Sequence, residues 1–162
     1  MSDATAPVSE DLLRRFDVSG PRYTSYPTAD RFVDAFTADD YALALQQRQH
    51  GAAALARPLS VYVHIPFCES LCYYCACNKI ITKHHERGAT YLRYLSRELD
   101  LHRAQMGANQ VVSQLHLGGG TPSFLSDAEL GELMRLLRWH FTLAPGAECA
   151  IEIDPRTVDA RR

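Results

Sequence analysis

Several things are scarce in this sequence, and each scarcity excludes something. No apolar run approaches the ~18 residues of a membrane-spanning helix. The opening Met1-Ser2-Asp3-Ala4-Thr5 lacks the basic and apolar regions of a secretory signal. Net charge is nearly absent, at a formal -2 over 162 residues with seven His counted neutral. Nothing there suggests a general nucleic-acid or membrane surface. No internal repeat and no low-complexity tract is present. What remains is ordinary for a soluble globular chain: 46% hydrophobic and 22% charged residues, long enough for one domain with a core. The expectation is a cytoplasmic protein without nucleic-acid or membrane partners.

Strand signals are also few before residue 59. Pro21-Arg22-Tyr23-Thr24-Ser25-Tyr26-Pro27-Thr28 reads as an extended, Pro-bounded segment. Thr37 is placed to cap a helix over Ala38 to His50, which Gly51 would stop, and Ala52 to Pro58 looks like a linker. From Ser60 the pattern changes. Val61-Tyr62-Val63-His64-Ile65 is β-branched and aromatic and ends at Pro66, which predicts a strand. Tyr91, Leu92, Leu95 and Leu99 recur at helical spacing up to Gly107. Val111, Val112, Leu115 and Leu117 predict a second strand, stopped by Gly118-Gly119-Gly120. Ser126-Asp127-Ala128-Glu129 is a capping box. Leu130, Leu133, Met134, Leu137 and Phe141 then mark one face of a helix. Cys149-Ala150-Ile151-Glu152-Ile153 predicts a third strand, closed by Asp154-Pro155.

Strand, helix, strand, helix, strand is the order of βαβ units in a parallel sheet. In such folds functional loops leave the C-terminal ends of strands. Three unusual segments lie there: a cysteine-rich loop, the triple glycine, and Glu152 to Arg156. The chain then stops at Asp159-Ala160-Arg161-Arg162 with an open sheet edge. That predicts a fragment of a longer protein.

Cysteines number five, and four of them crowd one short segment as Cys68, Cys72, Cys75 and Cys77, with Cys149 far off. A disulfide framework spreads its cysteines, so the cluster points to metal or redox chemistry. Cys68-Glu69-Ser70-Leu71-Cys72-Tyr73-Tyr74-Cys75 has C-x₃-C-x₂-C spacing. Three thiolates wrapped on one [4Fe–4S] cluster leave one iron open for a small molecule, whereas most such clusters take four ligands. A structural zinc knot or a ferredoxin-type site is the alternative, although zinc sites usually show two separated cysteine pairs. Cys77 is too close to Cys75 for easy joint ligation, and reads otherwise as a small apolar residue. Cys149, in an apolar strand, is expected in the core. His64 and His116 are expected packed and hydrogen-bonded rather than ligating, and His84 and His85 on a solvated helix start.

The three cysteines after a strand, with Gly-Gly-Gly-Thr-Pro after the next, resemble the radical S-adenosylmethionine (SAM) superfamily. Tyr62-x-His64-Ile65-Pro66-Phe67-Cys68, Cys75-Ala76-Cys77-Asn78-Lys79 and Gly20 to Thr28 resemble one of its families, oxygen-independent coproporphyrinogen III oxidase, over about Leu12 to Arg156. The resemblance implies an α/β fold: the first half of a partial (βα)6 TIM-like barrel over residues 60–162, its remainder and a C-terminal domain absent, preceded by a mostly helical and extended segment over 1–59. It implies that Cys68, Cys72 and Cys75 ligate a [4Fe–4S] cluster whose open iron binds SAM. One electron then cleaves SAM to methionine and a 5′-deoxyadenosyl radical, which abstracts hydrogen from substrate.

By the same resemblance Tyr62, Tyr74, Gly119, Gly120, Thr121 and Glu152 would bind SAM. Tyr74 would lie against the adenine, and Glu152 would take the ribose hydroxyls. Glycine fits such a place because backbone can approach the cofactor closely. Read without the family, Tyr62 is a half-buried strand aromatic, the glycines a turn, and Glu152 a solvated strand-end charge. Cys77 is the catalytic candidate. The implied reaction is oxidative decarboxylation of two propionates of coproporphyrinogen III to vinyls, giving protoporphyrinogen IX in haem biosynthesis. An unidentified electron donor is implied, and a monomer at full length. Four substrate carboxylates call for cationic partners, with Arg22 and its neighbours among the candidates. A haem chaperone of the same superfamily is the rival reading, though such relatives typically lack the fourth cysteine and the Pro-Arg-Tyr-Thr-Ser-Tyr-Pro segment. An inactive fragment is the second rival.

Overall fold

Alternation along two strands decides how this molecule is layered. In the computed structural model, which describes residues 8–18, 28–50, 57–73, 75 and 77–159, β1 spans Leu59–Ile65 and the longer β4 Gln110–Gly119. Val63 and Ile65 of β1, and Val112, Leu115 and Leu117 of β4, are buried. They meet Leu92, Leu95 and Leu99 of α3 (Arg87–Met106) and Leu133 and Leu137 of α4 (Asp127–His140), all in one apolar cluster. The intervening residues Tyr62, His64, His116 and Gly118 point to the other face. Parallel sheets usually bury both faces in apolar side chains. Here the second face is polar and carries the candidate residues.

β5 (Phe141–Ile151) completes the sheet, whose order is β1-β4-β5 with both pairings parallel. The helices between the strands supply the crossovers that parallel pairing requires. The alternating α/β reading therefore holds. α4 opens with the expected capping box, in which Ser126 accepts from the Glu129 amide and the Glu129 carboxylate accepts from Ser126. α3 ends where expected, at Gly107, whose φ of 83° a side chain would resist. α2 covers Ala38–His50 as the sequence indicated.

Three features differ from the sequence expectation. β5 begins eight residues before Cys149, directly after α4, and its register breaks where Val112 pairs with Leu143 but Gln114 with Glu148. The extra residues loop out around Pro145 and Gly146, the turn chemistry that masks the strand's first half; Gly146 has φ 74°. A two-stranded parallel sheet of β2 (Phe67–Cys68) and β3 (Ile80–Ile81) was not foreseen, being too short for any periodic signal. Cys149 is exposed, not core, because it lies on the edge strand.

Contacts divide the chain into Met1–Thr37 and Ala38–Arg162. In the first unit, α1 (Glu10–Phe16) is capped by Ser9 and carries an Arg14–Glu10 pair at 2.6 Å. In the second, α2 packs on α3 through Tyr41 with His102 at 3.2 Å and Gln46 with Gln105 at 2.7 Å. All but Thr28 of the Pro21 to Thr28 segment, and all but Arg57 and Pro58 of the expected linker from Ala52 to Pro58, lie outside the described residues. Among the described residues no helix is long and apolar enough to cross a membrane.

Candidate functional site

The three unusual segments leave the same end of the sheet and meet there. A cavity of about 330 Å³ is lined by Cys68, Cys72 and Cys75 of the cysteine loop, Gly120 and Thr121 after β4, and Glu152 to Arg156 after β5. The β2–β3 pair closes the neck of the loop: the Ile80 amide donates to the Pro66 carbonyl at 2.7 Å and the Thr82 amide to the Cys68 carbonyl at 2.8 Å. Within the loop, the Cys75 amide reaches the Cys72 carbonyl at 3.1 Å, a turn that draws these two cysteines together. Lys79 ties down the far side, its Nζ 3.3 Å from the Cys75 carbonyl and 3.4 Å from that of Cys77.

The glycine turn is packed backbone against backbone. The Gly120 amide donates to the Ile65 carbonyl at 2.8 Å and the Thr121 amide to the Phe67 carbonyl at 2.9 Å. A Cβ on Gly120 would stand 2.6 Å from the Phe67 carbonyl oxygen, and one on Gly119 2.7 Å from that of Ile65. Thr121 and Ser123 share a hydrogen bond at 2.7 Å, and both accept from the Asp154 amide, so the loops after β4 and β5 are locked together.

Glu152 is held from β4 at three points. Its amide donates to the Leu117 carbonyl at 2.9 Å, and its two carboxylate oxygens accept from His116 Nε2 at 3.0 Å and from the Gly119 amide at 3.3 Å. His116 lies in register with Tyr62, and their rings stack at 5.5 Å. Tyr62 in turn bonds His64 Nδ1 at 3.2 Å, while His64 Nε2 donates to the Asn78 carbonyl at 2.8 Å. His64 and His116 are thus packed and hydrogen-bonded, as expected. His84 is exposed ahead of α3 and pairs with Glu86. His85 departs from a simple solvated position: it stacks on Phe124 at 4.6 Å and pairs with Glu69 at 3.2 Å.

Electrostatics separate the thiols. Burial, then the neighbouring Cys75 and Cys72, pushes Cys68 up. The Cys77 amide donates to Cys75 Sγ at 3.4 Å and draws the Cys75 thiol down, with Lys79 helping, while Cys77 is pushed up mainly by its hydrogen bond with Cys75. Arg156 reaches Cys72 Sγ at 3.2 Å and grips Asp154, which its hydrogen bonds hold below the usual carboxylate range. Ligation requires thiolates, and the hydrogen bond from Cys77 moves the Cys75 thiol in that direction.

The donor set fits an iron–sulfur cluster in its chemistry: three soft thiols on one cavity, with polar backbone and a carboxylate across from them. Six expected site residues, Cys68, Cys72, Cys75, Gly120, Thr121 and Glu152, line the one cavity. Gly119 joins them through its amide. Tyr62 and Cys77 stand beside the cavity rather than on it, and Tyr74 lies outside the described residues. No site role of their own was expected of Lys79, His116 or Arg156. Period-two alternation puts His116 on the face of Gly118, but only the register of β1 with β4 sets it beside Tyr62.

A model of the radical SAM superfamily matches residues 62–162. An oxygen-independent coproporphyrinogen III oxidase of Pseudomonas aeruginosa is 51% identical over 151 residues, 92% of this chain and 32% of that protein. One from Mannheimia haemolytica is 46% identical over 144 residues, 89% of this chain and 94% of that protein. The solved structure of coproporphyrinogen III oxidase (HemN) from Escherichia coli, described as a radical SAM enzyme, matches with a TM-score of 0.74 and 42% identity, over 93% of this chain and 32% of that one. The chain spans about a third of the length of the Pseudomonas aeruginosa relative and of the solved structure. With the superfamily model covering most of the chain and the Mannheimia haemolytica relative covered nearly end to end, this chain belongs to the radical SAM superfamily and, within it, to the oxygen-independent coproporphyrinogen III oxidases.

Proposed function

We propose that this chain supplies the cluster- and SAM-binding part of an enzyme that converts coproporphyrinogen III to protoporphyrinogen IX without oxygen, in haem biosynthesis. The observation that carries the reading is the single cavity lined by three thiols, a glycine turn and a strand-end carboxylate. Cys68, Cys72 and Cys75 would hold the [4Fe–4S] cluster, and residues 60–162 would be the first three strands of the barrel. Bound there, the cluster and SAM supply the one-electron radical chemistry for oxidative decarboxylation. The chain's own residues bind and orient. Gly119, Gly120 and Thr121 would present backbone to the amino-acid end of SAM, Glu152 would accept from the ribose hydroxyls, and Tyr62 and Tyr74 would pack against the cofactor. Cys77, hydrogen-bonded to Cys75 and not on the cavity wall, is proposed to act in the reaction rather than ligate. An electron donor and a cytoplasmic setting complete the proposal.

The test is anaerobic reconstitution with iron and sulfide, then EPR of the reduced protein with and without SAM. A [4Fe–4S] signal that changes on adding SAM supports an open iron beside the SAM site. Uptake of one zinc and no cluster overturns the reading.

A further inference from the structure

Within the proposed SAM site, the residue that Glu152 depends on is not itself expected to touch the cofactor. A carboxylate that reads two ribose hydroxyls must be charged, fixed in plane, and left with free lone pairs. Each carboxylate oxygen has about two acceptor sites. In the structure one site on each oxygen is already taken, by His116 Nε2 at 3.0 Å and by the Gly119 amide at 3.3 Å. Among the described residues nothing else takes the remaining sites, which a diol could use. His116 can only donate to a carboxylate, so the contact fixes the proton on Nε2. Tyr62 stacks beside its ring, 5.5 Å between centroids and 24° between planes, which restrains its swing. Gly118 makes the approach possible: a Cβ there would stand 2.9 Å from the Glu152 Cδ and 2.9 Å from the Tyr62 ring.

We infer that His116 is a positioning residue for Glu152, orienting its carboxylate toward the ribose diol of SAM, with Gly118 leaving the space in which that carboxylate sits. The inference rests on the SAM-site reading above. Replacing His116 leaves Glu152 with one fixed partner of two, so the carboxylate rotates off the diol. The loss falls on SAM affinity and on no part of cluster ligation, because neither His116 nor Glu152 supplies a sulfur.

The experiment measures SAM dissociation constants by anaerobic equilibrium dialysis on the cluster-loaded chain, alongside those of a 2′,3′-dideoxy analogue of SAM. EPR confirms the cluster in each sample. His116→Phe, which keeps the stack on Tyr62, is expected to weaken SAM about tenfold, the worth of one hydrogen bond to a charged group. It should leave the analogue's affinity unchanged. His116→Gln, which places an amide N–H near the lost Nε2, should recover most of that affinity. Gly118→Ala retains His116 but crowds both the carboxylate and the Tyr62 ring, and should weaken SAM more than the analogue. In a Glu152→Gln background, His116→Phe should add little, the non-additivity of two residues acting as one unit.

Equal SAM affinity in parent and His116→Phe overturns the inference and leaves the SAM-site reading standing. So does an equal loss for SAM and analogue, which would mark a general disturbance. If His116→Phe loses its cluster, Gly118→Ala decides by the same comparison of SAM with the analogue. A parent that loads a cluster yet binds no SAM overturns both.

Discussion

At the scale of single residues, two positions tie the site to the core by different physics. Gly119 adopts φ 115°, and a side chain there would meet the Ile65 carbonyl oxygen at 2.7 Å. Gly119→Ala therefore combines backbone strain with a clash, and is expected to destabilise the chain by about 2 kcal/mol or more. Urea unfolding checks it. Tyr91 works through its hydroxyl, which donates to the His64 carbonyl at 2.7 Å and pins α3 to β1. Burial pushes its pKa up to about 12, with Glu98 and Tyr62 adding to it. The folded value lies above the unfolded one, near 10, so the neutral hydroxyl's contribution is complete below pH 10. It is lost as pH rises through about 12, where the folded form ionises too. Tyr91→Phe should lower stability at pH 7 by about 1 kcal/mol. Its deficit should shrink between pH 10 and 12, read as the gap between urea midpoints at pH 7 and pH 11.

At the scale of elements, local signals carried the helices and most of the sheet. The capping box of α4 was legible because its four residues are contiguous and its chemistry is self-contained. Ser126→Ala should remove about 1 kcal/mol of stability, measurable by thermal unfolding. Glu129 has a second neighbour that sequence does not reveal: its Oε1 would stand 2.5 Å from a Cβ on Gly88, at the start of α3. The strands β1 and β4 were legible from their β-branched and apolar runs and from the Pro66 and glycine stops that follow them. The front half of β5 was not, because Pro145 and Gly146 interrupt it and only pairing with β4 restores the strand. The same limit applies to the site. The three cysteines, the glycines and Glu152 announce themselves by type and spacing. His116 and Arg156 gain their meaning only from what the parallel register sets beside them, and Cys149 loses its expected burial because sequence does not tell an edge strand from a central one.

At the scale of the whole molecule, the cavity is made by the topology. Parallel strands end together, so segments spaced across much of the sequence, residues 68–79, 120–121 and 152–156, arrive at one rim. The cysteine loop is fastened a second time, by the pairing of β2 with β3 at its neck. That fastening makes the loop a hinged pouch: its mouth is stitched by main-chain bonds that owe nothing to iron. Loss of the cluster to oxygen should then be a local event, in which the pouch slackens and its seam stays closed. Hydrogen exchange followed before and after anaerobic removal of the cluster should find the Ile80 and Thr82 amides protected in both states, with the change confined to residues between them and Cys68. If the seam holds, such a protein should be emptied and refilled without unfolding, and repair of the damaged centre becomes a matter of delivering iron and sulfide to a receptacle already in place.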